Sequence, residues 1–189
     1  MRKIKELTAA LAPRHNSPMK FLILICALAF GAPYKRQAFK HWTDSDHDCQ
    51  NTRQELLIAR SEVPVTFTKK KNCTVSTGRW NDFYYDEVLT NAREVDIDHV
   101  VPLKHAWLTG AETWTKEKRS EFANDLENLV ITNKKYNRQK GAKTILEWMP
   151  INRDFACQYA KRWFLIKNKY QLLISDEERM NYSLLKCEQ

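Results

Sequence analysis

Residues Phe21 to Phe30 form an unbroken apolar run, preceded by Arg2, Lys3, Lys5, Arg14 and Lys20 and closed by the small residues Ala29 and Gly31. A cationic start, a short apolar stretch and small residues after it make the pattern of a cleavable secretory leader. Such a run spans only about 15 Å as a helix, half of a hydrocarbon layer of roughly 30 Å, which disfavours a membrane anchor. Residues 1–31 are therefore expected to be a signal peptide, with cleavage between Gly31 and about Ala38. Residues 32–189 are expected to be one secreted or periplasmic domain with no stable membrane association.

Removing the leader also removes Cys26 and leaves Cys49, Cys73, Cys157 and Cys187. An even number of cysteines in an oxidising compartment predicts two disulfides. No two of these cysteines form a C-x2-C pair, so a zinc ribbon is disfavoured. The formal charge is +8, but the leader carries five of the cations and only Glu6, which leaves +4 for the remainder. That excess permits a polyanionic partner without requiring one. With four glycines, six prolines and no repeat in 189 residues, a compact fold with few flexible linkers is expected.

Thr52-Arg53-Gln54-Glu55 reads as a capping box opening a helix through about Arg60, with Leu56 and Leu57 inward. Val63–Thr68 and Cys73–Ser76 flank a Lys/Asn turn and suggest a short hairpin. The β-branched stretch Val95–Leu103, ending at Pro102, and Leu129–Thr132 are strand candidates. Thr115–Asp125 is read as helical, and Asn133 to Gly141 as a short basic helix with Gly141 near its C-cap. Phe155, Tyr159, Trp163, Ile166 and Tyr170 recur on one helical face and are read as core. Ser175 to Glu178 is a second capping box, after which Met180, Leu184 and Cys187 mark the expected buried face of a last helix.

That antiparallel helical hairpin selects among the three pairings of four cysteines. Cys157 and Cys187 stand at similar heights from the turn, roughly 20 Å and 18 Å at 1.5 Å per residue, so Cys157–Cys187 is predicted. Cys49–Cys73 follows by elimination.

Two segments carry the chemistry: Asp96-Ile97-Asp98-His99-Val100-Val101-Pro102 and Asn128-Leu129 through Asn137-Arg138-Gln139-Lys140-Gly141. A metal-assisted hydrolysis requires an activated water, stabilisation of developing negative charge and help for the leaving group. His99 suits the base, since a neutral imidazole accepts a proton near neutral pH. Asp98 and the Asn137 carbonyl are hard oxygen donors suited to one divalent ion, Mg²⁺ or Mn²⁺. Adjacent strand residues face opposite ways, so Asp98 and His99 serve one site only where the strand ends or bends. Asp96 is a further metal ligand or a partner of one, while Arg138, Lys140 and Lys143 are phosphate contacts or a solvated helix face. The stretch Asp44-Ser45-Asp46-His47-Asp48 lacks the spacing of an EF-hand loop and is set aside.

These two segments resemble the HNH nuclease motif. The span from Trp42 to Cys187, with Cys49-x-x-Thr52-Arg53-x-Glu55, Phe122-Ala-Asn-Asp125, Glu147-Trp148 and Cys157-x-Tyr159-Ala160, resembles secreted bacterial members of the HNH endonuclease family. The resemblance implies an α+β fold: a strand-strand-helix metal finger, about residues 94–143, in a mainly helical domain that ends in the helical hairpin. It implies phosphodiester hydrolysis with Asp98, His99, Asn128 and Asn137 as the functional residues, Asn128 orienting His99 through its far nitrogen or the adjoining backbone. Nucleic acid is the expected partner, DNA ahead of RNA, with an immunity protein only for a toxin. The alternative is a non-catalytic secreted nucleic-acid-binding protein on an HNH-like scaffold.

Overall fold

The computed structural model describes residues 32–187, so the expected leader lies outside the described residues. Among the described residues no helix is long and apolar enough to cross a membrane. Helices and small antiparallel sheets give the expected α+β class.

Helix α1 (Thr52–Ala59) is capped by Asn51, whose side-chain oxygen accepts the N–H groups of Arg53 and Gln54. The cap therefore falls one residue before the expected Thr52. The Thr52 hydroxyl is engaged elsewhere, 3.0 Å from the Thr43 carbonyl and 2.9 Å from Asn124 Oδ1. Strand β1 (Thr66–Phe67) pairs antiparallel with β2 (Val75–Asn81), which forms the expected hairpin. β2 then runs on to pair with β3 (Val88–Asn91), a strand with no counterpart in the sequence reading. The Cys49–Cys73 disulfide ties the approach to α1 to this sheet.

β4 (Val95–His99) and β5 (Leu129–Asn133) form a separate antiparallel pair, with Asp98 opposite Val130 and His99 opposite Leu129. Between them lie α2 (Leu103–Leu108) and α3 (Lys116–Asn124), the latter capped by the Thr115 side chain. β4 stops at His99 and not at Pro102, because the Val100 N–H turns to the Asn128 carbonyl; Pro102 instead caps α2. Helix α4 (Lys134–Lys140) starts directly after β5, capped by Asn133, and Gly141 ends it at φ +56°. That left-handed geometry strains a side chain and suits glycine.

The antiparallel β4–β5 pair is pinned by Asp82, which is fully buried. Its carboxylate accepts the N–H groups of Tyr84, Tyr85 and Asn133 and lies 3.0 Å from the Thr132 hydroxyl. One buried charge thus joins the loop after β2 to the end of β5.

In α5 (Arg153–Lys169), Tyr159, Trp163 and Ile166 are fully buried, as is nearly all of Tyr170, while Phe155 is half-buried. The expected stripe is core. α6 (Asp176–Leu184) carries the Ser175–Glu178 capping box, but its inward face differs from the expected one: Met180 and Leu184 are 59% and 78% exposed. Glu178 turns inward instead, accepting from Trp163 Nε1 at 2.9 Å and pairing with the buried Lys167 at 2.8 Å. Phe164 packs on Tyr182, and the predicted Cys157–Cys187 disulfide ties α5 to the segment just after α6.

Candidate active site

Because β4 ends at His99, the turn that follows brings both Asp98 and His99 to one cavity of about 320 Å³. Asn137 of α4 lines the same space, together with Arg36, Lys104 and Tyr34. Asp98, His99 and Asn137 are thus collected from the end of one strand and the facing helix. Asn128 and Lys140 stand behind them, away from solvent.

His99 is buried, and its Nε2 lies 2.9 Å from the Ala123 carbonyl. A carbonyl only accepts, so Nε2 carries the hydrogen and Nδ1 keeps its lone pair. Among the described residues Nδ1 has no hydrogen-bond partner. Trp42 stacks on the ring at 6.0 Å between centroids. Burial lowers the His99 pKa to about 3; the Ala123 bond opposes this, and the charges of Arg36, Lys140 and His41 add to it. The imidazole is therefore neutral and held in one tautomer.

Asn128 is fully buried and does not touch the imidazole. Its Oδ1 accepts the Val101 N–H at 2.9 Å and its Nδ2 donates to the Val101 carbonyl at 3.3 Å. Of the two expected routes, it takes the backbone one, fixing the turn that ends β4. The far nitrogen belongs to Ala123.

Asp98 Oδ2 accepts from the Tyr84 hydroxyl at 2.5 Å and from Lys140 Nζ at 2.7 Å. Its Oδ1 has no hydrogen-bond partner among the described residues. Lys140 is fully buried and also donates to the His99 carbonyl at 2.8 Å, so its ammonium faces the protein and not a solvent-borne phosphate. Burial lowers the Lys140 pKa and Asp98 opposes that shift. Burial and the neighbouring Asp98 push the Tyr84 phenol far up, which keeps it a donor. Arg138 and Lys143 are exposed, and Lys143 Nζ donates to the Gln139 carbonyl at 2.9 Å.

Asn137 Nδ2 donates to Asp96 Oδ2 at 3.1 Å. This orients the amide so that its carbonyl oxygen remains available, and it gives Asp96 the role of a partner to Asn137. The donor set fits a hard divalent cation: one carboxylate oxygen and one amide oxygen, with room beside them for water and phosphate. Lys140 partly neutralises the Asp98 carboxylate. Away from the site, Asp44, Asp46 and Asp48 bring carboxylate oxygens within 4.8 Å of one another. One oxygen of each carboxylate accepts an N–H group of its own loop, at Cys49, Asp48 and Gln50, while Asp44 Oδ1 is buried with no partner among the described residues.

A buried imidazole of fixed tautomer, a carboxylate with one unpartnered oxygen among the described residues and an oriented carboxamide thus gather around one cavity. The model of the family described as GmrSD restriction endonucleases, C-terminal domain, matches residues 52–182, and the chain belongs to that family. It is 36% identical over 148 residues to an uncharacterized secreted protein of Arthroderma benhamiae (strain ATCC MYA-4681 / CBS 112371), covering 77% of this chain and 71% of that one. No solved structure matches. The chain is accordingly a nuclease-like domain, and its two disulfides agree with a secreted location.

Several contributors escaped the sequence reading. The Ala123 carbonyl is a backbone atom and has no residue signature. Tyr84, Arg36 and Lys104 stand outside the two motif segments, with no spacing that links them to His99.

Proposed function

We propose that the protein is a metal-dependent endonuclease of the HNH type that hydrolyses phosphodiester bonds, with DNA ahead of RNA as substrate. The observation that carries this reading is the fixed His99 tautomer, with Nδ1 unpartnered among the described residues and His99 lining the same cavity as Asp98 and Asn137. His99 Nδ1 takes a proton from water as the water oxygen attacks phosphorus and the bond to the 3′ oxygen breaks. Asp98 and Asn137 would hold Mg²⁺ or Mn²⁺, which when bound supplies Lewis-acid stabilisation of the charge on phosphate and leaving oxygen. Asn128 acts through the backbone of the turn, as a positioning residue. Asp96 holds the Asn137 amide, and Tyr84 and Lys140 hold Asp98. Arg138 of α4 and Lys143 just beyond that helix, both exposed, remain the phosphate contacts.

Incubating the purified mature protein with plasmid DNA and with RNA, with and without EDTA, tests this. Cleavage of plasmid that stops with EDTA and returns with Mg²⁺ or Mn²⁺ is the expected result. Cleavage unaffected by EDTA would remove the metal from the reading, and no cleavage of either polymer with added metal would overturn it.

A further inference from the structure

Hydrolysis at this cavity leaves one need unmet by Asp98, His99 and Asn137: a fixed positive charge for the non-bridging oxygens of the scissile phosphate. Lys140, the cation nearest Asp98, is fully buried and already engaged by that carboxylate and by the His99 carbonyl. The cavity lining holds two other cations, Arg36 and Lys104, both exposed, and neither pairs with a carboxylate among the described residues. Arg36 stands in a segment distant in sequence from the strand-strand-helix unit, yet that segment is firmly seated. Arg36–Ala38 form a 3₁₀ turn, Phe39 is 1% exposed in the core, and the Ala38 carbonyl accepts from Arg119 Nε at 3.2 Å. Upstream, the Ala32 carbonyl accepts from Trp107 Nε1 at 3.0 Å. The backbone is therefore tied down on both sides of Arg36, whose guanidinium hydrogen-bonds the Tyr34 side chain and carries no carboxylate partner among the described residues.

We propose that Arg36 is the clamp on the scissile phosphate, so that the active site is completed by the segment preceding α1. A guanidinium presents parallel N–H donors that match two phosphate oxygens, which a lysine ammonium does not. Held in place before substrate arrives, it stabilises the charge that builds on those oxygens as water attacks. The inference rests on the phosphodiesterase reading of the same cavity and extends it to a residue outside both motif segments.

The test uses residues 32–189, which keep the segment before α1, with Arg36→Ala and Arg36→Lys, each first checked for native melting behaviour. Three readouts are taken: cleavage of plasmid, turnover of bis(4-nitrophenyl) phosphate, and calorimetric binding of inorganic phosphate. The small diester has no flanking phosphates, so only a contact to the reacting group affects it. Arg36→Ala is expected to lower kcat/KM by about 10²-fold on both substrates, with part recovered in Arg36→Lys, and to weaken phosphate binding. Loss on plasmid with unchanged turnover of the small diester would make Arg36 a flanking contact and overturn the clamp. Unchanged rates on both would also overturn it. If the wild-type chain cleaves neither substrate, the nuclease reading fails by itself, and phosphate binding then decides: a weaker Arg36→Ala isotherm upholds the anion site and an identical one removes it.

Discussion

The two nitrogens of His99 have separate tasks, and this division sets what a substitution does. Nε2 donates to the Ala123 carbonyl inside the protein, while Nδ1 is the atom left for water. Replacing His99 with Ala thus removes a base and strands a buried acceptor at once. Activity on plasmid is expected to fall by about 10²–10⁴-fold. Stability should fall by about 1–3 kcal/mol through the unpaired carbonyl, as read from urea denaturation. Retention of more than about a tenth of the activity would remove His99 as general base. Lys140 illustrates the same point from the other side. It stands in the Asn-Arg-x-Lys-Gly string, where its charge reads as a phosphate contact, but its ammonium is buried against Asp98. Sequence reports a residue's charge and not the direction in which it points.

At the scale of elements, the strand-strand-helix unit was the most legible part of the chain. β-branched residues, the Asn133 cap and Gly141 mark it, and Asp98, His99 and Asn137 line one cavity at its end. What orients the Asn137 amide was less legible, because it is a hydrogen bond to Asp96 on the facing strand. Asp96→Ala should leave the fold intact but let the Asn137 amide turn. The Mg²⁺ concentration for half-maximal cleavage is expected to rise by roughly 10- to 100-fold, and an unchanged titration would detach Asp96 from the metal site. The last helix was misread for a different reason. Hydrophobic periodicity follows apolar residues, whereas the inward anchor of α6 is Glu178, paired with buried Lys167. Burial pushes the Glu178 carboxyl up, but hydrogen bonds from His105, Lys167 and the Ser175 N–H outweigh it and bring the pKa from 4.5 to about 2. A lowered folded pKa contributes stability that is fully present above the unfolded value and is lost as pH falls through the folded one. The wild-type protein should therefore lose stability between about pH 5 and pH 2, and Glu178→Gln should flatten that part of the profile, as followed by denaturant midpoints.

Over the whole molecule, the two disulfides close stretches with sequence separations of 24 and 30, outside the strand-strand-helix unit. By the loop-entropy estimate each contributes about 3–4 kcal/mol. Reduction should lower the melting temperature markedly while leaving cleavage at room temperature largely intact, as measured by thermal melts and plasmid assays with and without dithiothreitol. Loss of cleavage in a reduced protein that is still folded would show instead that a bridge shapes the cavity. The Asp82 clamp has the opposite character. Strand side chains alternate with a period of two, so slipping β4 against β5 by one residue would exchange the faces of Asp98 and His99. Asp82 holds Thr132 and Asn133 at the far end of that pairing and does not line the cavity. In a random-mutagenesis screen for inactive clones, Asp82 variants should therefore be recovered beside those at His99, a hit that marks strand register and would be mistaken for catalysis.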